Sequence, residues 1–474
     1  MKRQIILVIA AIILLVGCNS KKQQNPEFTV LKGATMFDGT GEIIEQCIII
    51  IKEGIIQSIS TQEVDIPDDA EVIDLSGKYI TPGLVDAHVH FAQTGFFDGR
   101  PDVLDIRDSI DYVQLQSYLQ NTPDRYYEAY LRSGVTAVYD VGGFVWSIKF
   151  QESAELNLNA PHVAAAGPLL TPVSNEKLTT FNTPAQKQML NLSSPEFGRQ
   201  AVRQHTSLGS TGIKIWQLHL EDPEFMKSLK AVADEVVIQG NKLIVHATSL
   251  DQAKEALRLG TKVLVHSVSD QPVDEEFIQL AKENGLIYLP TLIVGWGYQN
   301  AFRSLKGKFE LNDPNNAVDN ATKNLINSST RFYRYYKEPD KFEETLTRMG
   351  KRTIRSEEIS FDNLRMLYKA GVSIAVSTDA GNPGTLHGIS IYDEMEAMQK
   401  AGIPAEDIIV MATKNGAMAM ERFNDFGTLE KGKMADLIIL DNDPSQDIAN
   451  MRSISHVMRG GLLRPVNEPF KNNH

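Results

Sequence analysis

Six side chains that can bind metal ions lie in, or at the end of, short apolar runs of this chain. They are His88, His90, Lys214, His246, His266 and Asp379. Short apolar runs of this kind indicate buried parallel strands, and side chains at the carboxyl ends of barrel strands converge on one point. The six residues therefore predict one metal site that is assembled from distant parts of the sequence.

The segment 83–90 carries the most specific motif, because two histidines alternate with apolar residues in it. On a strand, His88 and His90 would point to the same face, about 7 Å apart along the strand. Two neutral imidazoles at that separation can share one divalent cation. Pro82 and Gly83 favour a fixed chain entry just before the strand. Taken alone, the pair could also lie on a half-exposed strand edge.

Three further candidates close their own apolar runs. His246 and His266 each follow a helical pattern, a glycine and a short apolar stretch, which is the order of a helix, a turn and a strand. Asp379 ends the run 373–379 in the same way. Each of these residues alone could be a hydrogen-bonded core residue, but their occurrence together with the histidine pair favours metal binding.

Lys214 is the unusual member of the set. Alternation in the segment 212–216 points it opposite to the two isoleucines and toward the interior of the barrel. A buried ammonium would carry a large desolvation cost and repel cations, so burial favours the neutral amine. A neutral amine can add carbon dioxide to give a carbamate, whose two oxygens can bridge two metals. The alternative is a lysine that reaches to the barrel mouth or pairs with Asp379.

Strand and helix patterns alternate through most of the chain, which predicts an α/β fold. The predicted strands are 84–90, 135–141, 162–166, 212–216, 243–246, 263–266, 287–292 and 373–379. Eight strands with intervening helices predict a (β/α)8 TIM barrel over residues 81–424, with the active site at the carboxyl ends of its strands. The charged and aromatic stretch 297–358 does not fit this repeat. We predict a helical insertion there, either a lid that shapes substrate choice or a surface embellishment.

The order of the six residues resembles the amidohydrolase superfamily of metal-dependent hydrolases. The resemblance runs from about residue 28 to residue 464, and it is strongest in Pro-Gly-Leu-Val-Asp-Ala-His-Val-His and Ser-Thr-Asp-Ala-Gly. It implies that a carboxylated Lys214 bridges two metals, of which the more buried is held by His88, His90 and Asp379 and the more exposed by His246 and His266. Residues 134–143 look most similar to a branch with imidazolonepropionase-like enzymes and Xaa-Pro dipeptidases.

The same resemblance implies a small second domain built from both ends of the chain. Residues 28–80 and 425–468 are rich in β-forming residues and turn signals. Similar segments in the superfamily pair into one β-sandwich-like domain. The alternative is two unrelated β-hairpin regions.

The predicted chemistry is hydrolysis of a C–N bond in an amide, a dipeptide or a cyclic amide. Two divalent cations bridged by a hydroxide would supply a nucleophile at neutral pH, and Asp379 would carry the proton to the leaving nitrogen. Zinc is the default metal, because imidazole and carboxylate ligands suit it, although manganese, cobalt or iron would fit the same ligand set. Candidate substrate contacts are Trp216, His219, Trp296 and His387. The alternative function is a surface lipoprotein that binds a substrate on the same barrel without chemistry.

The first eighteen residues are not predicted to belong to the fold. A basic start, the apolar run 5–16 and a small residue before Cys18 resemble a bacterial lipoprotein signal peptide. Cys18 would then be lipidated, and residues 19–27 would form a tether to the membrane. We expect an outer-membrane anchor with the enzyme facing the periplasm. A simple cleaved signal or an uncleaved anchor is the alternative.

Composition agrees with an exported enzyme. The 474 residues are 42% hydrophobic, which is enough to bury a barrel core and a small second domain. Of the two cysteines, Cys18 would carry lipid and Cys47 lies in an apolar strand, so no disulfide is expected. The net charge of -13 would become -15 without Lys2 and Arg3. This charge argues against a nucleic acid partner and against an electrostatic membrane patch, so membrane attachment would be through the lipid alone. The predicted chemistry implies a small-molecule substrate, and a homo-oligomer stays open.

Overall fold

A computed structural model describes residues 27–468 and Phe470. The predicted signal peptide, its Cys18 and all of the tether except Glu27 lie outside the described residues. Glu27 forms an ion pair with Lys52 at 2.6 Å. In the described part of the chain, no helix combines the length and the apolar character needed to cross a membrane.

Strands and helices alternate along the described residues and are numbered in chain order. The strands are β1 Phe28–Phe37, β2 Ile43–Lys52, β3 Ile55–Ser60, β4 Glu71–Asp74, β5 Tyr79–Pro82, β6 Leu84–Val89, β7 Val135–Asp140, β8 His162–Ala165, β9 Leu169–Thr171, β10 Met189–Asn191, β11 Ile213–Ile215, β12 Leu243–His246, β13 Val263–Val265, β14 Ile287–Leu289, β15 Ser373–Ile374, β16 Leu437–Leu440, β17 Ile454–Arg459 and β18 Leu462–Pro465. The helices are α1 Tyr112–Asn121, α2 Asp124–Arg132, α3 Val145–Ile148, α4 Phe150–Glu155, α5 Asn175–Leu178, α6 Pro195–Ser207, α7 Pro223–Ile238, α8 Leu250–Arg258, α9 Glu275–Asn284, α10 Val294–Ser304, α11 Asn320–Asn327, α12 Phe342–Lys369, α13 Ser390–Lys400, α14 Ala405–Met411 and α15 Lys414–Ala419.

The predicted TIM barrel is confirmed. Parallel pairing runs through β6, β7 and β8 and again through β11, β12, β13, β14 and β15. The amide of Thr211 donates to the carbonyl of Ala165 at 3.0 Å and joins the two sets. Asp379 N donates to His88 O at 2.8 Å and closes the ring. Most of these strand residues are buried, as expected for parallel strands with helices outside and packed side chains inside.

Two details of the barrel differ from the sequence-based expectation. An extra parallel pair, β9 and β10, lies beside β11 through the pairing of Leu170 with Ile215. These strands have only three residues each and carry no clear alternation, so their pattern could not be told from a loop. The predicted strands 287–292 and 373–379 are shorter in the structure, where they end at Leu289 and Ile374. Thr291 and Asp379, which lie beyond these ends, have positive φ angles of 47° and 55°.

The two chain ends form one β-sheet with the strand order β18-β17-β16-β5-β1-β2-β3, and β4 also pairs with β1. Strand β16 from the end of the chain pairs antiparallel with β5 from the beginning, with Ile438 opposite Thr81. The far edge turns back, since Ile56 N donates to Lys433 O at 2.9 Å. The sheet thereby encloses its own apolar core, which includes Leu31, Ile49 and Leu437.

An insertion of helices α10, α11 and α12 follows β14. A segment in it that was expected to be helical, around Phe332, is a 3-10 helix, Ser329–Tyr335. Phe332 is buried with Phe96 and Phe97 from the loop after β6. The insertion is therefore packed onto the mouth of the barrel through an aromatic core of its own.

Candidate metal centre

All six predicted ligands line one cavity of about 500 Å³ at the carboxyl ends of the barrel strands. His90 follows β6 directly, Lys214 is the middle residue of β11, and His246 ends β12. His266 follows β13, and Asp379 lies five residues beyond β15. Strands of a closed barrel end at one mouth, so side chains far apart in the sequence meet there.

Three of the ligand atoms form a nearly equilateral triangle. His88 Nε2 lies 3.2 Å from His90 Nε2. Asp379 Oδ1 lies 3.3 Å from His88 Nε2 and 3.1 Å from His90 Nε2. Metal–ligand distances of about 2.0–2.1 Å in a tetrahedral zinc site place neighbouring ligand atoms about 3.3 Å apart. The triangle therefore has the dimensions of three ligands of one small divalent cation.

His246 and His266 form a second group next to the triangle. Their ring centroids are 4.4 Å apart, and the centroids of His88 and His266 are 5.1 Å apart. One ligand atom each from His88, His266 and Asp379 can be chosen within 4.8 Å of one another. The two groups are thus adjacent, as two neighbouring cations require.

Lys214 is 2% exposed, and its Nζ has no hydrogen-bond partner among the described residues. Within those residues it also makes no ion pair with Asp379. Burial lowers the pKa of its amine to about 7, and the charge of Asp379 opposes that shift. The lysine therefore neither reaches solvent nor pairs with the aspartate. A buried amine without a partner is costly, and it fits a side chain that is completed by an additional group.

Hydrogen bonds at the outer ring nitrogens orient two of the histidines. His90 Nδ1 donates to Gly142 O at 2.6 Å, and His266 Nδ1 lies 2.8 Å from Thr291 Oγ1. Each contact leaves Nε2 free to act as a metal ligand, which is the usual arrangement around metal-binding imidazoles. Burial lowers the pKa of His266 to about 4 and shifts that of His88 well below its ordinary value. Neutral rings keep the lone pairs that metal binding needs.

The backbone at the mouth is held in unusual conformations. His266 and Asp379 have φ angles of 74° and 55°, in the left-handed region that side chains rarely adopt. Buried Asp86 supports the second of them, because it accepts hydrogen bonds from Thr378 N at 3.0 Å and Thr378 Oγ1 at 2.6 Å. Asp86 was not predicted to act at the site, although it stands two residues before His88.

We expect Thr291→Val to weaken metal binding without unfolding the protein. Valine has the same shape, but it removes the hydroxyl that orients the ring of His266. Loss of such an outer partner costs roughly 10–100-fold in metal affinity. Competition with a chromogenic chelator measures it, with Thr248→Val as control, since Thr248 lines the same cavity and bonds to none of the predicted ligands. Equal affinities in both variants would contradict the role of Thr291.

The structure places the four predicted substrate contacts in different surroundings. Trp216 lines the cavity, whereas His219, Trp296 and His387 are not among its lining residues, so the structure does not bring these three side chains to the site. His387 is buried and binds the hydroxyl of Tyr130 at 2.6 Å. Trp296 turns its Nε1 to Glu357 at 2.8 Å. His219 packs near the ring of Phe225, at the start of the helix that follows.

A polar network in the wall of the cavity was not predicted from the sequence. Tyr298 donates to Asn382 Oδ1 at 2.8 Å, and Arg100 donates to both of these residues. Asp102 holds the guanidinium of Arg100 through contacts of 2.9 and 2.8 Å. Asn382 could have been found, because it stands three residues after Asp379. Arg100 and Tyr298 lie in a loop and in the insertion, where no motif marks them.

The insertion also supplies a wall of the cavity. Helix α12 contributes Met349, Arg352, Thr353, Ser356, Glu357 and Ser360. Helix α10 approaches the loop after Asp379 so closely that a side chain at Gly384 would overlap the carbonyl of Gly297. The insertion is therefore part of the site, which supports the lid prediction over a surface embellishment.

We expect Gly384→Ala to lower both Tm and the affinity for small ligands of the cavity. Overlap of two backbones costs roughly 1–3 kcal/mol, which corresponds to a fall in Tm of roughly 2–6 °C. Gly240→Ala is the matched control, because Gly240 also has a positive φ but has no atom within 4 Å of an added Cβ. Calorimetry of both variants separates the overlap from backbone strain. Equal Tm values would show that the contact with Gly297 does not matter.

The chain combines a (β/α)8 barrel with an extra sheet that is built from both chain ends. Histidines, an aspartate and a lysine lie together at the mouth of the barrel. These features define a class of barrel enzymes with a candidate metal site. Residues 79–463 match the Amidohydrolase family, and the chain belongs to this family. The prediction of an amidohydrolase enzyme is thereby confirmed.

Individual relatives are more distant. An imidazolonepropionase of Bacillus cytotoxicus is 23% identical over 461 residues, 94% of each chain. One of Thermoanaerobacter pseudethanolicus is 35% identical over 98 residues, which are 20% of this chain and 23% of that protein. The chain thus matches only about a quarter of the length of the first curated relatives. A crystal structure of a Xaa-Pro dipeptidase with bound methionine has a TM-score of 0.70 and 25% identity, covering 92% of this chain and 100% of that one.

Proposed function

We propose that the protein is a metal-dependent hydrolase that cleaves a C–N bond in a small molecule. The observation that carries the proposal is the triangle formed by His88 Nε2, His90 Nε2 and Asp379 Oδ1, with sides of 3.1 to 3.3 Å. Carboxylate and imidazole ligands at this spacing suit zinc and related divalent cations. Family membership supports the same reaction class.

The donor set fits two cations. His88, His90 and Asp379 would hold the more buried one, and His246 and His266 the more exposed one. Lys214, carboxylated on Nζ, would reach both groups, and the unpartnered position of its buried amine supports this role. Cations bound there would lower the pKa of a water molecule and polarise a substrate carbonyl.

Side chains of the protein carry out the proton transfers of the proposed reaction. Asp379 accepts a proton from the attacking water and delivers it to the leaving nitrogen. Asp379 is buried, and its Oδ1 lies 3.1 to 3.3 Å from the ring nitrogens of His88 and His90. A cation held by these three side chains would keep the carboxylate ionised. Leu169 and Trp216 contribute an apolar part of the cavity wall.

The substrate is proposed to be an amide of about dipeptide size. A volume of about 500 Å³ suits a ligand of that size. The imidazolonepropionase and Xaa-Pro dipeptidase relatives suggest cyclic amides and dipeptides as the first compounds to try. Arg100, Tyr298 and Asn382 form the polar group that would orient such a substrate.

Metal analysis and a hydrolysis screen of the purified chain test the proposal together. We expect about two divalent ions per chain, and turnover of at least one Xaa-Pro dipeptide, N-acyl amino acid or lactam. His88→Ala is the inactive control, because it removes one corner of the triangle. Absence of metal under metal-replete conditions would instead favour a barrel that only binds its ligand.

Attachment to the cell envelope is also proposed, and it rests on residues 1–18 alone. The protein would be anchored in the outer membrane through lipid on Cys18 and would face the periplasm. Metabolic labelling with a palmitate analogue tests this attachment. Label in the parent protein and none in Cys18→Ser is expected, and equal label in both would refute it.

A further inference from the structure

A second cavity, of about 410 Å³, lies outside the metal centre. It is bounded by helices α3 and α6 and by the chain that leads into β10. We call it the outer cavity, and it is lined by Gln120, Val145, Trp146, Lys149, Pro168, Ala185, Gln186, Lys187, Leu190, Gln204, His205 and Leu208. None of these residues belongs to the proposed catalytic set.

His205 is the most informative residue of the outer cavity. It is 2% exposed, and its Nδ1 has no hydrogen-bond partner among the described residues. Burial lowers the pKa of His205 to about 4, so the ring is neutral and keeps one N–H donor. A buried polar atom without a partner costs free energy that a bound group could recover.

The charged side chains that line the outer cavity are all positive. Lys149 and Lys187 line it, and neither forms an ion pair within the described part of the chain. Aspartate and glutamate are absent from its lining. The whole chain, in contrast, has a net charge of -13. Two uncompensated ammonium groups beside a buried imidazole make this a local site for an anion.

The rest of the wall is largely apolar. Trp146 and Pro168 are buried, Leu190 is partly buried, and Leu208 lies at the exposed rim together with two of the three lining glutamines. Such a wall favours a ligand with an apolar body over a bare inorganic ion. The volume of the outer cavity, its positive charge and its apolar wall therefore favour the same kind of ligand, a small anion with an apolar body.

We propose that the outer cavity binds a small organic monocarboxylate with an apolar body. Lys149 and Lys187 pair with the carboxylate, and the imidazole of His205 donates a hydrogen bond to it. Trp146 and Leu190 pack against the apolar part. The inference concerns binding alone, so it does not depend on the proposed hydrolysis.

The outer cavity shares a wall with the metal centre. Pro168, Lys187 and Leu190 line the outer cavity, while their neighbours Leu169, Gln188 and Met189 line the cavity of about 500 Å³. A bound carboxylate would therefore order a segment whose other side faces the substrate. We expect hydrogen exchange in residues 185–190 to slow when the outer cavity is filled.

Calorimetric titration of the full metal-loaded protein with phenylacetate tests the inference, with phenylacetamide as the neutral probe of the same shape. We expect phenylacetate to bind at least about tenfold more tightly than phenylacetamide. In Lys149→Gln/Lys187→Gln the affinity for phenylacetate should fall at least about tenfold. Lys282→Gln/Lys369→Gln is the control, because both lysines are exposed on α9 and α12, lie outside the cavity, and make no ion pair within the described residues.

His205→Phe should weaken phenylacetate binding as well, and the lysine variants keep the test valid if that variant does not fold. Slower exchange confined to residues 185–190 and 204–208 would place the probe in the outer cavity. Equal affinities for the two probes would overturn the inference. So would unchanged binding in the double lysine variant, or no binding of phenylacetate at about 10 mM.

Discussion

Asp379→Asn should lower kcat about a thousandfold while the protein stays folded. The change removes the negative charge and the proton acceptor but keeps the size of the side chain. Asparagine tolerates the left-handed conformation of this residue, whose φ is 55°. The backbone bonds of Asp379, including that from its amide to His88 O, do not involve the side chain. The loss should therefore appear in turnover and metal content rather than in Tm.

The matched control is Asp234→Asn on the exposed surface of α7. Asp234 pairs with Lys230 at 3.0 Å, so its substitution also removes one paired carboxylate. An exposed pair contributes little to stability, roughly 0–1 kcal/mol, and the control should keep the parent activity. Metal content by mass spectrometry and kcat on the best substrate of the screen are measured for both. A kcat within threefold of the parent in Asp379→Asn would remove this residue from the mechanism.

The barrel could be predicted, and its candidate ligands could be selected, because both leave regular marks in the sequence. Strands buried on both faces appear as short apolar runs, and a ligand has to stand where such a run ends. His246 at the end of β12 shows this directly. His88 and His90 were predicted from the alternation of residues in their strand alone. Predicting these histidines required no knowledge of the loops.

The part of the cavity lining outside the six predicted metal ligands could not be predicted from the sequence, and the reason is physical. Helix α12 presents polar side chains such as Ser356 and Glu357 to the cavity, and in sequence they look like any solvated helix face. Whether such a face meets water or a substrate depends on where the insertion packs. That position is set by buried aromatic contacts between distant segments, such as Phe96 with Phe332. The placement of His219, Trp296 and His387 away from the cavity lining could not be foreseen for the same reason.

The backbone conformation at the mouth could not be predicted either. Thr291 and Asp379 lie beyond the ends of β14 and β15 and have positive φ angles, which nothing in their side chains indicates. Hydrogen bonds hold this part of the backbone, for example those that Asp86 accepts from Thr378, the neighbour of Asp379. Strain of this kind is found where a fold must aim a side chain. The sequence could therefore indicate the candidate ligands, but it could not give the backbone conformation that orients them.

Lys214→Ala should reduce the metal content from about two ions to about one or fewer, and should lower turnover at least about a hundredfold. The reason is that the carboxylated amine is proposed to contact both cations. Lys242→Ala is the matched control, since Lys242 is also a buried barrel lysine, 4% exposed. Its Nζ donates to Ala419 O at 2.7 Å, away from the cavity of the metal centre, so its loss should affect Tm and leave the metal content unchanged.

Short carboxylic acids provide the decisive step of the same experiment. Acetate or propionate can enter the space left by the lysine side chain in Lys214→Ala and supply the two bridging oxygens. We expect added acid to restore part of the metal content and of kcat in this variant, and to do nothing for Lys242→Ala. Full metal content and turnover in Lys214→Ala without added acid would rule out a bridging lysine. Loss that no acid restores would leave Lys214 as a ligand or a structural residue, and would refute the carbamate.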